Sequence, residues 1–162
     1  MDNREKTDRD KAQKLVADNR KALHDYHVLD TWEAGVALLG TEVKSIREGN
    51  VNLRDSYARL ENGEVWLLNV HIGPYSHTGW DTHADRRQRK LLLHRDEIRK
   101  LTGRVVEKGL TLVPLQLYFK NGRVKVSLAL VKGKQAHDKR ETLRRREVDR
   151  ETRAAVKSRQ RS

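Results

Sequence analysis

Gly40-Thr41-Glu42-Val43-Lys44-Ser45-Ile46-Arg47-Glu48-Gly49, together with the Asn62-Gly63 pair that follows it, decides how this chain folds. Val43 and Ile46 lie three apart on one helical face, Thr41 stands where a first-turn cap is needed, and Gly49 supplies a left-handed residue to end the helix. Further on, Trp66, Leu68, Val70 and Ile72 alternate with Val65, Leu67, Asn69 and His71, so the first set predicts a continuously apolar sheet face and the second a mixed one. Asn-Gly beside such a run predicts a tight hairpin. A short helix directly ahead of a β-hairpin is the expected centre of the fold, with the rest of the chain closing a sheet around it or extending from it as basic arms.

Upstream, Tyr26, Val28, Asp30, Trp32, Ala34, Val36 and Leu38 occupy alternate positions and predict a long strand over 24–39, interrupted at Asp30, with Glu33 on the face opposite Trp32. Downstream, residues 73–88 form a polar connection carrying Tyr75, His77, Trp80 and His83, longer than compact domains usually allow. That loop is expected to be mobile and peripheral. Arg89-Lys90-Leu91-Leu92-Leu93-His94 reads as a short buried strand with a basic entrance, followed by a helix around Ile98 and Leu101 that breaks at Gly103 and Gly109. A second hairpin sets Val113, Leu115, Leu117 and Phe119 against Val124, Val126, Leu128 and Leu130 across Asn121-Gly122, with Lys125 pointing away from the apolar face. Six strands and inserted helices imply a mainly β fold, a small six-stranded antiparallel barrel of the oligonucleotide-binding (OB) type. An open sheet backed by helices is the competing architecture.

The composition restricts what such a barrel meets. Charged residues make up 36% of 162 positions, against about 25% in an ordinary globular domain, so the core must be concentrated in part of the chain. Residues 1–14 are charged or polar and are expected to form a mobile tail, residues 15–132 the barrel, and residues 133–162 a basic C-terminal tail. From 138 onward only Leu143, Val148 and Val156 are large and apolar, which predicts disorder alone and a helix on a polyanionic partner. A formal charge of +12 points to nucleic acid before a membrane surface, and no run approaches the roughly 18 apolar residues of a span. No signal peptide opens the chain, and the absence of cysteine excludes disulfides, iron-sulfur clusters and Cys-ligated zinc, which fits a cytoplasmic protein.

His77, Asp81, His83 and Asp85 crowd one loop, but their spacing matches no common ligand pattern and no rigid element fixes them for magnesium-dependent nuclease chemistry. No phosphate-cradling glycine loop or nucleophile elbow is present, so neither catalysis nor a metal, cofactor or small-molecule substrate is expected. The basic residues say more. Lys44 and Arg47 flank the short helix, Arg86, Arg87, Arg89 and Lys90 precede the fourth strand, and Lys132 and Lys134 close the barrel. With only eight Phe, Trp and Tyr, most patterned inward, a structured RNA held by phosphate contacts and shape fits better than a single strand stacked on the sheet.

Several longer runs carry a resemblance. Gly40-Thr41-Glu42-Val43-Lys44-Ser45, Asn52-Leu53-Arg54-Asp55-Ser56-Tyr57, Arg89-Lys90-Leu91-Leu92-Leu93, Gly109-Leu110-Thr111-Leu112-Val113-Pro114, Lys120-Asn121-Gly122-Arg123-Val124-Lys125-Val126, and Gly133-Lys134 with His137-Asp138-Lys139-Arg140 resemble the SmpB, or SsrA-binding protein, family across nearly all of residues 19–147. The resemblance implies an OB-type barrel that binds the tRNA-like domain of transfer-messenger RNA and delivers it to stalled bacterial ribosomes in trans-translation. It implies an RNA-binding surface including Glu33, Leu92 and Lys125, with Asn19, Arg20, Lys21, His24 and Tyr26 beside them, and with Glu42, Lys44, Arg89 and Lys90 on the same surface. It also implies a ribosome-binding tail, with Gly133, Lys134, His137, Asp138, Lys139, Arg140, Arg144 and Arg145, lying in the decoding centre and the empty messenger path. An acidic Glu33 at such a surface would accept hydrogen bonds from bases or orient a neighbouring cation, while Lys125 supplies attraction. A general ribosome-associated barrel protein is the alternative.

Overall fold

A computed structural model describes residues 13–77, 83–107 and 109–160. Nine strands and four helices occupy them: β1 (Gln13–Asp18), α1 (Arg20–Asp25), β2 (Tyr26–Val36), α2 (Gly40–Arg47), β3 (Val51–Asn52), β4 (Tyr57–Glu61), β5 (Glu64–Leu68), β6 (His71–Ile72), β7 (Arg89–Leu92), α3 (Arg95–Val105), β8 (Leu110–Lys120), β9 (Arg123–Gly133) and α4 (Ala136–Gln160). The six expected strands are β2, β4, β5, β7, β8 and β9. They pair antiparallel in the order β8-β4-β5-β7-β2-β9, and β9 pairs again with β8 to close a ring. β1 adds to the far half of β8, Gln13 opposite Lys120 and Asp18 opposite Gln116, so regular structure begins inside the expected N-terminal tail.

The ring wraps one apolar core, with Ile46, Leu67, Ile72, Leu91, Leu101, Leu117, Leu128 and Leu130 all but inaccessible. Both Asn-Gly pairs form the expected tight turns, Asn62 and Asn121 at φ +52° and +51° with left-handed glycines after them. Two faces differ from the simple alternation. In β5 the inward pair is Val65 and Leu67, at 0% and 1% exposure, while Trp66 pairs outward with Lys90; the phase changes at Asn69, whose φ is +65°, and Val70 and Ile72 then turn inward. In β8 a bulge between Pro114 and Gln116 does the same. Leu117 faces the ring interior, whereas Val113 and Leu115 join Ala22, Ala129 and Val131 in a second small core beneath α1.

Helix α2 ends as expected at Gly49, φ +78°, but Thr41 does not cap it. The Glu42 carboxylate instead accepts the Leu39 N–H at 2.9 Å, and the Thr41 hydroxyl meets His83 Nδ1 at 3.0 Å. Helix α3 runs through Gly103 to Val105, because burial of Leu101 with Ile98 and Val105 outweighs the roughly 1 kcal/mol that a mid-helix glycine costs. The long first strand is shorter than expected: α1, capped by the Asn19 side chain accepting from Ala22 N–H at 3.2 Å, takes its beginning.

Candidate nucleic-acid interface

Three neighbouring strands set Lys125, Gly35 and Leu92 in one row, since Gly35 is the register partner of both others. Ala34, Leu91, Val124 and Val126 point into the core, so strand alternation turns Glu33, Gly35, Leu92 and Lys125 outward. Gly35 keeps the row flat: a Cβ there would meet the Leu92 Cβ at 3.3 Å. Leu92 is 52% exposed, a large apolar side chain left in water beside a cation. The row lines a groove of about 1170 Å³, whose rim includes both hairpin tips and the cations Lys90, Arg95 and Arg123.

Glu33 is held from two sides. The Tyr118 hydroxyl donates to its carboxylate at 2.6 Å, and Lys120 Nζ lies 3.2 Å from each oxygen. Burial alone would raise the carboxyl pKa, but the Tyr118 and Lys120 hydrogen bonds and the nearby Lys125 outweigh it and hold Glu33 below its ordinary 4.5. Burial, reinforced by Glu33, pushes the Tyr118 hydroxyl up, so it remains a donor. The result is an oriented anion fenced by cations, able to accept from a base edge without repelling a phosphate placed at Lys125.

A second patch lies at the other end of β2. From Tyr26 to Gly35 the strand advances nine residues, roughly 30 Å at the usual rise, so the α1 residues and the Leu92 row do not share one small site. Arg20 is almost fully exposed, Lys21 Nζ pairs with Asp55 at 2.6 Å, and His24 Nδ1 meets Asp25 at 2.9 Å. The tail leaves from this same place. Gly133 closes β9 opposite Tyr26, Lys134 N–H donates to Asp25 O at 2.9 Å, Lys134 Nζ to Leu23 O at 3.2 Å, and Lys139 Nζ approaches the Asp25 carboxylate at 3.5 Å. The His24 hydrogen bond, against a smaller effect of burial and with help from Lys139, lowers the Asp25 pKa. Beyond Lys139 the helix α4 turns Arg140, Arg144 and Arg145 into solvent, and Arg145 pairs with Glu141 at 3.0 Å.

The SmpB protein family model matches residues 16–158, nearly nine-tenths of the chain. This chain belongs to the SmpB family. It is 60% identical over 146 residues to the SsrA-binding protein of Trichodesmium erythraeum (strain IMS101), covering 90% of this chain and 94% of that one. It is 57% identical over 153 residues to the SsrA-binding protein of Nostoc punctiforme (strain ATCC 29133 / PCC 73102), covering 94% and 99%. Among solved structures, a chain from "tmRNA-SmpB: a journey to the center of the bacterial ribosome" superposes with a TM-score of 0.65 at 51% identity, over 80% of this chain and 94% of that one.

Three of the residues expected on the RNA surface of this SmpB chain are buried instead. Asn19, 4% exposed, caps α1 and donates to Pro114 O at 2.9 Å. Glu42 and Arg89, both at 0%, form an ion pair inside the fold. Arg89 also donates to Val70 O at 2.9 Å and Asp85 O at 3.2 Å, while Arg87 closes on Glu42 at 2.5 Å, so the pair fastens α2 to the ring and to residues 84–87. A cation that follows a polar loop and opens a strand reads as surface in sequence; only its opposite number on another element shows that it goes in. Lys44 is exposed but lies on α2, 5.4 Å from the Tyr75 ring, and Lys90 reaches Glu64 at 3.0 Å on the rim of the groove.

The loop expected to lie loose is tied down where it is described. His83, 7% exposed, bonds Thr41 and, through Nε2, Ile72 O at 2.9 Å. Trp80 and Asp81 lie outside the described residues, as do the side chains of His137 and Asp138. Sequence reasoning missed Gly35, Tyr118 and Lys120. Strand alternation with Glu33 was the available signal for Gly35, but nothing local ties Tyr118 and Lys120 to a carboxylate more than eighty positions away.

Proposed function

We propose that this chain is the RNA-binding factor of trans-translation: it binds the tRNA-like domain of transfer-messenger RNA and accompanies it to stalled ribosomes, without catalysis of its own. Relatives named SsrA-binding protein at 57–60% identity over nearly their whole length carry that reading. The closed ring acts as an OB-type barrel whose outer row of Glu33, Gly35, Leu92 and Lys125 meets the RNA, and the α1 patch of Arg20, Lys21, His24 and Tyr26 meets it a strand's length away. Two separated patches measure the shape of a folded RNA, which charge alone does not. The arginine-rich α4 serves the ribosome, lying in the decoding centre and messenger path; it is marginal as an isolated helix and gains its stability from ribosomal phosphates. Among the described residues no helix is long and apolar enough to cross a membrane. With the ribosome as partner, the working place is the cytoplasm. The test is co-purification of the full chain followed by sequencing of the bound RNA. Transfer-messenger RNA should dominate over ordinary tRNA at fixed salt, whereas equal recovery of both would favour a general ribosome-associated RNA binder.

A further inference from the structure

The run Asn52-Leu53-Arg54-Asp55-Ser56-Tyr57 joins β3 to β4 and meets the α1 patch through the Asp55–Lys21 pair. Its inward residues are anchored: Leu53 and Ser56 are 1% and 4% exposed, the Ser56 hydroxyl donates to Leu53 O at 2.5 Å, and Asn19 donates to the same carbonyl at 3.4 Å. Arg54, Asp55 and Tyr57 face outward, Tyr57 at 43% exposure. The backbone between them is strained. Asp55 holds φ +61°, and across from it Asn69 holds φ +65°; these are the two left-handed non-glycine residues that lie outside the hairpin turns among the described residues. Asn69 Nδ2 donates to Asp55 O at 2.9 Å, Arg86 donates to Asn69 Oδ1 at 2.7 Å, and Asn52 Oδ1 accepts the Arg54 N–H at 2.9 Å. Side chains thus lock two unfavourable conformations together, an arrangement that clusters where a protein must present groups rigidly.

What the ridge presents is suited to RNA. On one side a hollow of about 340 Å³ is framed by Arg54, His71 and Arg86 with Asn52 and Asn69. On the other a hollow of about 260 Å³ is framed by Tyr57, Tyr26 and Lys21, with the carboxylates of Asp25 and Asp55 engaged by His24 and Lys21. Asp55 stands between them and turns Lys21 toward the second hollow through their 2.6 Å pair, as Glu33 positions Lys120 on the opposite patch. We infer that the 52–57 ridge is a further RNA-contact surface, continuous with the α1 patch through Lys21: unpaired loop nucleotides cross it with a backbone phosphate between Arg54 and Arg86 and a base against Tyr57. This rests on the proposed binding of the tRNA-like domain. Two cations lining one hollow suit a phosphate, and an exposed tyrosine at a strand end suits a splayed base.

Titrating the full chain with labelled tRNA-like-domain RNA at two salt concentrations tests it, with Lys125→Glu as the reference for the Leu92 row. Arg54→Glu should weaken binding about tenfold and flatten the salt dependence by about one, with Arg54→Lys near the parent. Tyr57→Ala should weaken binding fivefold to a hundredfold, and Tyr57→Phe should stay within about twofold. Each variant's thermal unfolding separates lost contact from lost fold. Parent-like binding by both Arg54→Glu and Tyr57→Ala, while Lys125→Glu is impaired, overturns the ridge and leaves the proposed function standing. No selective binding by the parent itself overturns both.

Discussion

Glu42 shows how one residue couples stability to pH. Burial raises its carboxyl pKa, but hydrogen bonds from Arg87, the Leu39 N–H and Arg89, with the Arg89 charge, bring it below 4.5 in the folded chain. A depressed folded pKa stabilises fully above the unfolded value and loses that contribution as pH falls through the folded one. Urea midpoints should therefore hold from pH 7 to about 5 and then decline, and Glu42→Gln should flatten that acid limb. Glu42→Ala leaves Arg89 and Arg87 with no carboxylate and should cost about 3–5 kcal/mol in urea unfolding at pH 7, since an uncompensated buried charge remains. On the outer row, Lys125→Glu places a like charge beside Glu33 and removes the cation proposed to meet a phosphate, so the slope of log affinity against log salt should fall by about one. Glu33→Arg should weaken binding despite its added positive charge, because the acceptor that Tyr118 and Lys120 orient is lost; gel-shift titration of both variants reads this.

At the scale of elements, β2 does two jobs. Its first residues join α1 and the tail, and its last present the Gly35 row between β7 and β9. Gly35→Leu adds bulk where even a Cβ lies 3.3 Å from Leu92, so the expected outcome is a loss of RNA affinity of tenfold or more with unfolding shifted by only about 1–2 kcal/mol. Helix α4 adds almost nothing to the core: its large apolar residues Leu143, Val148 and Val156 are more than half exposed. Its root differs from the rest, because Lys134 and Lys139 are tied to α1. A truncation after Lys139 keeps those ties and should retain affinity for the isolated tRNA-like domain while abolishing peptide tagging in a reconstituted system. Normal tagging by that truncation would make the tail irrelevant, and equal loss of both activities would place it in the RNA surface.

At the scale of the whole molecule, local patterns were enough for some features and not for others. Asn-Gly turns, strand periodicity and the Gly49 stop depend on neighbours in sequence, so six strands, both hairpins, the short helix and the mainly β class were legible in the sequence, as was a strongly basic surface from the +12 charge. Family-typical runs made the SmpB family legible too. The pairings between distant segments, β2 with β7 and β9 and β4 with β8, the addition of β1, and the phase changes at Asn69 and at the β8 bulge were not, because each is decided by what a residue meets across the sheet. The same reason governs the charges. Glu42 and Arg89 lie 47 positions apart and read as two surface groups until the tertiary structure desolvates them together, whereas Glu33 and Lys125 stay outside because their strand neighbours fill the core. By itself the sequence determined six of the strands, both hairpins and the short helix, and that its charge favours a polyanionic partner, since propensity and net charge are properties of the chain. Only the tertiary structure decided which charges remained available to that partner, since burial is a property of pairs of elements that are distant along it.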